Sequence, residues 1–313
     1  MATTQIPATL DVPVDAASGL RRPNRFREYL PLYLSISPFY IIFAVFGLFP
    51  IGFSLYLAFH AWDGIGPMKY VGLDQFRFLL SDHNFWRSLL NTFEIWVIST
   101  IPMLFIAMVI AVLLNSNVRF RGFYRVAYFI PNITSLVAIA IIFGSVFANS
   151  FGLFNAFLHA VGLPEVQWLS DPWGIKVAIA VMVIWRWTGY NAIIYLAGLQ
   201  ALPGDLFEAA RIDGASAIQT FFRITVPMMR PIILFTVITS TIGGMQIFTE
   251  PQVLVGDTGG PNSAGQTVVL YLYQQAFDNN QFGYGAAIGW GLFVVLIVFS
   301  IINWRLVQRP GRK

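Results

Sequence analysis

Apolar residues in this chain fall into six long blocks, separated by polar stretches rich in glycine, proline and arginine. The blocks run over residues 37–59, 92–114, 126–148, 175–199, 231–249 and 286–304. A helix needs about 20 residues to cross the hydrocarbon core of a bilayer, and each block is close to that length. Their interiors carry two charges, Glu94 and Arg186. Pro50, Pro102, Pro131, Gly144, Gly243 and Gly244 interrupt them. Transmembrane helices tolerate such residues because neighbouring helices satisfy the freed backbone groups. The pattern predicts an all-α membrane protein with six transmembrane helices over residues 29–305. Basic tails at 1–28, expected to be disordered, and at 306–313 flank it. The first block does not follow a charged start closely enough for a cleaved signal peptide, so it reads as a retained anchor.

Composition strengthens this reading. The chain is 57% hydrophobic and 11% charged, against about 25% charged residues in a soluble domain. So few charges cannot cover a water-facing surface, which argues against a large soluble core. The absence of cysteine excludes disulfides and thiolate chemistry. His60, His83 and His159 lie too far apart in sequence to suggest a metal site.

A net charge of +4 could point to nucleic acid, but the distribution has a simpler cause. Fourteen of the 19 lysines and arginines fall in the N-terminal tail, 115–125, 200–230 and the C-terminal tail. These segments share one side of the membrane if the blocks alternate in direction. Basic loops stay in the cytoplasm, so both termini are expected there and no nucleic-acid partner is required.

The segment 200–230 has a pattern of its own. Asp205 precedes Glu208 by three residues, as in a capping box. Ala209 and Ala210 favour helix, Gly214 permits a tight turn, and Ser216 is placed to cap a second helix bearing Phe221, Phe222 and Ile224. Pro227 is expected to end it. Two short helices joined at a glycine follow. An amphipathic hairpin resting on the membrane surface is the bland alternative. The small residues at 209, 210, 214 and 215 weaken it, because they suit close docking into a protein groove better than anchoring in lipid.

Glu208-Ala209-Ala210, three residues, Gly214, nine residues and then Ile224-Thr225-Val226-Pro227 resembles the EAA loop of binding-protein-dependent ATP-binding-cassette importer permeases. Val226 stands where the family pattern has leucine. Asp213-Gly214-Ala215 resembles the carbohydrate branch, and the similarity to maltose-permease-like subunits covers residues 30–305. The resemblance implies that Glu208, Ala209, Ala210, Asp213, Gly214, Ala215 and Pro227 couple the chain to a cytoplasmic ATPase. It implies a dimer of ATP-binding cassette subunits, a second homologous permease and an extracytoplasmic sugar-binding protein as partners. The setting is a bacterial or archaeal inner membrane and its lipid, and the cargo a di- or oligosaccharide.

ATP hydrolysis is not expected on this chain. A P-loop needs G-x-x-x-x-G-K-[ST], and Lys69, Lys176 and Lys313 lie in no such pattern. ATP and Mg are expected on the partner, with no cofactor here and no catalytic residue. The same architecture could carry a polyol or glycerol phosphate. A secondary transporter would want mid-membrane carboxylates and internal repeats, and only Glu94 is on offer.

Polar residues inside a membrane are expensive and are functional candidates by default. The fourth block carries Trp185, Arg186, Trp187, Thr188, Gly189, Tyr190 and Asn191. Aromatic faces and hydroxyl or amide groups suit a sugar. A structural cluster, with Arg186 paired to Glu94, fits equally. In the fifth block, Thr236, Thr239, Ser240, Thr241, Met245 and Gln246 either meet substrate or glue helices together. The family pattern selects Tyr190, Thr239 and Gln246 as pocket residues, with Met245, Arg186 and Trp187 as weaker neighbours. The outer tract 256–265 is glycine-rich and expected to be flexible; its Thr258-Gly259-Gly260-Pro261 run is similar to the sugar branch.

The charge distribution yields a direct test of orientation. Cysteine placed by Ala217→Cys should react only with reagents that cross the membrane. Labelling by an impermeant reagent added outside would invert the topology.

Overall fold

The computed structural model describes residues 25–115 and 119–307. Residues 1–24 and 308–313, which hold most of the two expected tails, lie outside the described residues, as do 116–118. The chain divides into two compact units, Met1–Ser54 and Leu55–Lys313.

The first unit contains α1 (Arg25–Phe43), a π-helical turn at Ala44–Leu48 and the start of α2 (Phe49–Ala58). Phe39, Phe46 and Phe49 are 67%, 77% and 67% exposed. So much exposed aromatic surface belongs in lipid or against another subunit.

In the second unit a two-stranded hairpin, β1 (His60–Ala61) with β2 (Lys69–Tyr70), leads to α3 (Asp74–Ser81) and the long α4 (His83–Asn115). Then follow α5 (Arg121–Ile133), α6 (Leu136–Val146), α7 (Leu153–Ala160) and α8 (Pro172–Gln200). The segment after α8 forms α9 (Gly204–Ile212), α10 (Ala217–Thr220) and α11 (Val226–Met228). The chain ends in α12 (Arg230–Gly244), α13 (Thr249–Val255), α14 (Val268–Tyr273) and α15 (Phe282–Val307).

Among the described residues, four helices are long and apolar enough to cross a membrane: Tyr29–Ala58, His83–Asn115, Pro172–Gln200 and Phe282–Arg305. The third and fifth blocks depart from the straight spans expected. Gly122–Ile133 and Leu136–Val146 meet at 94°, and Ala217–Met228 and Arg230–Gly244 at 69°. The fifth block also stops at Gly244, short of the expected 249.

The centre of the second unit is the pair α4 and α8, its most extensive helix contact. At one end Ala107, Ala111 and Leu114 of α4 pack on Ala192, Tyr195, Leu196 and Leu199 of α8, with Met229 inserted. At the other, Ile95 packs on Ile175, Ile179 and Val183. Asp171 caps α8 by accepting the Gly174 N–H at 2.8 Å, and Pro172 occupies the first turn, where it costs no hydrogen bond. α5 crosses α8 closely: a side-chain carbon at Gly189 would lie 1.7 Å from the Tyr128 carbonyl oxygen. Only glycine permits that approach.

A second core joins α3, α4, α14 and α15 through Leu79, Phe85, Tyr271, Tyr284 and Ile288. Its polar centre is Asp82, whose carboxylate accepts the hydroxyls of Tyr271 and Tyr284. Burial, reinforced by the Asp82 carboxylate, pushes the Tyr271 phenol above its ordinary range.

The glycine-rich tract after α13 is pinned, contrary to the expectation of flexibility. Gly265 N–H donates to Gly259 O at 2.8 Å, Arg87 donates to Asn262 O, and Asn91 donates to Ser263 O at 2.9 Å and Gln266 O at 3.2 Å. Positive φ at Gly259 and Gly260 makes the fold-back affordable.

Candidate transport cavity and coupling hairpin

Between its two packed ends, α8 turns a polar face toward open space. Val183, Arg186, Trp187, Tyr190 and Asn191 recur at helical spacing and therefore share that face. They line a cavity of about 460 Å³ with Thr100 and Met103 of α4, Leu136 of α6, and Thr239, Ser240, Gly243 and Gly244 of α12. Gln246, Ile247, Phe248, Thr249 and Glu250 complete the wall. Residues 245–248 are the non-helical link between α12 and α13. Irregular backbone at membrane depth is tolerated where it lines a cavity or is buried in protein.

Five of the six sequence-selected pocket residues meet here: Tyr190, Thr239, Gln246, Arg186 and Trp187. Met245 does not. It is 1% exposed and points into packed protein, one helical turn on from buried Thr241, whose carbonyl accepts its N–H at 3.0 Å, while the adjacent Gln246 is exposed.

Trp187 and Tyr190 stand edge to face, with centroids 5.7 Å apart. Among the described residues, the Tyr190 hydroxyl and the Gln246 amide have no hydrogen-bond partner. The Thr239 hydroxyl donates to Phe235 O at 2.8 Å, leaving lone pairs for an incoming donor. Asn191 donates to Trp187 O at 3.1 Å. Thr236 and Thr241 are buried and serve packing: Tyr195 meets Thr236 Oγ1 at 2.7 Å, and Thr241 bonds back to Val237 O.

The ion pairs differ from the structural pairing weighed in the sequence. Arg186 pairs with Glu250 at 3.1 Å and not with Glu94. Glu94 takes Lys176, which also lies 5.2 Å from the Trp173 ring centroid. Glu250 was not legible as a site residue. It falls one position beyond the fifth apolar block, where a carboxylate reads as a loop residue. Asn191 and Ser240 were visible, Phe248 was not singled out, and Thr100 carried no signal apart from its polarity inside a span.

The hairpin after α8 takes the predicted form with three corrections. α9 ends as a Schellman motif: Ala215 N–H reaches Ala210 O at 2.9 Å, and Gly214 N–H reaches Arg211 O at 3.1 Å. Gly214 has φ +73°, the left-handed conformation this turn requires. Ser216 and Gln219 form a full capping box at the start of α10. Asp205, however, is not the cap of α9. Pro203 occupies that position, and Asp205 lies in the first turn, where its charge still favours the helix N-terminus. Pro227 does not end the second helix either; it lies inside α11, and the break falls at Met229. Finally, Ala210 is buried within the fold, so it is Glu208, Ala209, Asp213 and Gly214 that are exposed, with Ala215 and Pro227 half-buried. Ile212, Ile218 and Phe222 are 86%, 72% and 65% exposed on this ordered hairpin.

A chain of bent apolar helices, a broken helix beside a polar cavity and an ordered hairpin with an apolar outer surface define a membrane transport subunit. The chain belongs to the family described as binding-protein-dependent transport system inner membrane component, whose model matches residues 77–312. It is 37% identical over 276 residues to the lactose transport system permease protein of Rhizobium radiobacter, covering 87% of this chain and 92% of that one. It is 36% identical to the arabinooligosaccharides transport system permease protein of Halalkalibacterium halodurans, covering 86% and 85%. The fold matches a chain of a bacterial ABC transporter involved in the import of the acidic polysaccharide alginate. The TM-score is 0.78 at 23% identity, covering 92% of this chain and 98% of that one.

Glu94 and Lys176 lie outside the cavity wall, so their pair should act on stability alone. Glu94→Gln leaves a buried ammonium unpaired and should destabilise by about 3–5 kcal/mol. Glu94→Gln combined with Lys176→Met should recover most of that loss in thermal unfolding of the purified protein. Equal losses in the single and double variants would show that the pair is not the source.

Proposed function

We propose that this chain is the permease subunit of an ATP-binding-cassette importer and that a di- or oligosaccharide crosses through its central cavity. One observation carries the reading: the edge-to-face aromatic pair Trp187 and Tyr190 lines the same cavity as the uncommitted side-chain amide of Gln246 and the hydroxyls of Thr239 and Ser240. Apolar faces cover sugar C–H surfaces while amides and hydroxyls exchange hydrogen bonds with sugar hydroxyls. The relatives, permeases of lactose and arabinooligosaccharide transport systems, favour the same class.

In this reading both termini are cytoplasmic, as the arginine distribution favours. Residues 204–228 dock on a partner ATPase, which binds ATP and Mg. A second permease, a dimer of ATPase subunits and an external sugar-binding protein complete the assembly. Exposed Ile212, Ile218 and Phe222 supply apolar docking surface, and Glu208, Ala209, Asp213 and Gly214 lie beside them. Large apolar side chains held exposed on an ordered element mark an interaction site.

Tyr190→Ala and Gln246→Ala should each weaken saccharide uptake by the equivalent of about 1–3 kcal/mol, the usual cost of leaving a buried partner unpaired. Uptake by vesicles carrying the assembled complex measures this, and unaltered uptake in both would remove the cavity from the pathway. Gly214→Leu tests the hairpin. A branched side chain in the left-handed region costs roughly 1–2 kcal/mol and obstructs close approach. The variant should insert into the membrane normally, yet lose bound ATPase or substrate-stimulated hydrolysis. Retention of both would assign the hairpin to the lipid surface.

A further inference from the structure

Among the described residues lining the cavity, two are charged, Arg186 and Glu250. They face each other at 3.1 Å, with side-chain exposures of 17% and 6%. The guanidinium lies 5.1 Å from the Trp187 ring centroid, and its Nε is buried without a hydrogen-bond partner. The remaining wall is aromatic, amide, hydroxyl and aliphatic.

The pair therefore leaves the cavity with no net charge. An anionic ligand would have to shed water and then meet a cation already committed to Glu250, with that carboxylate close by. A cationic ligand would meet the reverse. Burying an ion that finds no partner of its own is strongly unfavourable. A polyhydroxyl ligand without charge meets neither obstacle and still finds the amide and hydroxyl groups of the wall. Glu250 is also well placed to hold this balance, because it sits in the first turn of α13, directly after the non-helical link that carries Gln246.

We infer that the cavity selects uncharged saccharides, and that Glu250 is the specificity-determining residue because it neutralises Arg186. This rests on the saccharide reading given above. The Lys176–Glu94 pair has no such role, since neither side chain lines the cavity. The two halves of the Arg186–Glu250 pair predict opposite changes. Removing the carboxylate leaves a fixed cation that favours sugars bearing a carboxylate. Removing the guanidinium leaves a fixed anion that favours sugars bearing an ammonium group.

The test is equilibrium dialysis on the assembled complex with its partner subunits. Three probe sets are used: uncharged disaccharides and trisaccharides, galacturonate oligomers of the same lengths, and glucosamine oligomers of the same lengths. The intact complex should bind an uncharged member at least about ten-fold more tightly than either charged set, since specificity is a difference of affinities. Glu250→Gln should narrow the gap to galacturonate by about ten-fold, and more at low than at high salt, as expected of a charge effect. Arg186→Gln should do the same for glucosamine oligomers and not for galacturonate. Should either single variant fail to assemble, the other and the ranking by the intact complex still decide. Equal or tighter binding of a charged set by the intact complex overturns the inference while leaving the saccharide reading in place. So does unchanged discrimination in an assembled Glu250→Gln complex. Failure of every saccharide to bind the intact complex removes the saccharide reading and the inference with it.

Discussion

The close approach of α4 and α8 is the constraint on which the rest of the second unit depends. In an apolar medium, two helices gain little by hiding apolar side chains from lipid. They associate through close van der Waals contact, small residues and polar links. The seam uses all three. Ala107, Ala111 and Ala192 allow the backbones together at one end. Ile95, Ile175 and Ile179 interdigitate at the other, where Lys176 and Glu94 bridge the helices. Between these ends, Arg186, Trp187, Tyr190 and Asn191 are too polar and too large to close the gap. The cavity is where the seam cannot shut.

A cavity at that depth sets terms for the chain around it. α12 stops at Gly244, and the link to α13 exposes backbone groups that lipid could not satisfy. The surrounding protein does so instead. Gln246 N–H returns to Gly243 O at 3.1 Å, and Thr267 donates its hydroxyl to Ile247 O at 2.8 Å. Thr267 is itself held by the pinned tract that precedes it, which Arg87 and Asn91 tie to α4. The broken helix, the glycine-rich tract and the start of α4 thus form one hydrogen-bonded support for the wall that presents Gln246 and Glu250.

Much of this was readable from the sequence wherever a property is local. Apolar block length located the helices that cross, because burial of an apolar run needs no tertiary information. Gly214 and Ser216 announced the turn and the cap, since left-handed backbone and N-terminal capping each select few residue types. Asp205 was misleading because the helix begins one residue before it, at Gly204, with the extended Pro203 in the cap position and no side-chain cap. The partner of Arg186 was not readable at all. Glu94 and Glu250 are both compatible by charge, and only the position of α13 beside α8 decides between them. Met245 failed for a different reason: it was named as a sequence neighbour of Gln246, and successive residues on a helical turn face different directions. The bends in the third and fifth blocks were likewise hidden, because composition reports apolarity and not direction.

The hairpin meets the α4–α8 seam at Met229. Met229 is fully buried and packs with Ala107, Ala111, Leu196 and Leu199 at the closed end of the seam. Its N–H donates to Thr225 O at 2.9 Å, so it continues the helix that carries the exposed Phe222. A rigid displacement of that helix cannot leave Met229 in place. Packed interiors do not deform smoothly, since density there is close to that of an organic crystal. Movement of Met229 would press on both α4 and α8, against which it packs. Those two helices supply Thr100, Met103 and the whole Arg186–Asn191 face of the cavity. Met229 thus ties the hairpin to the same two helices that line the cavity.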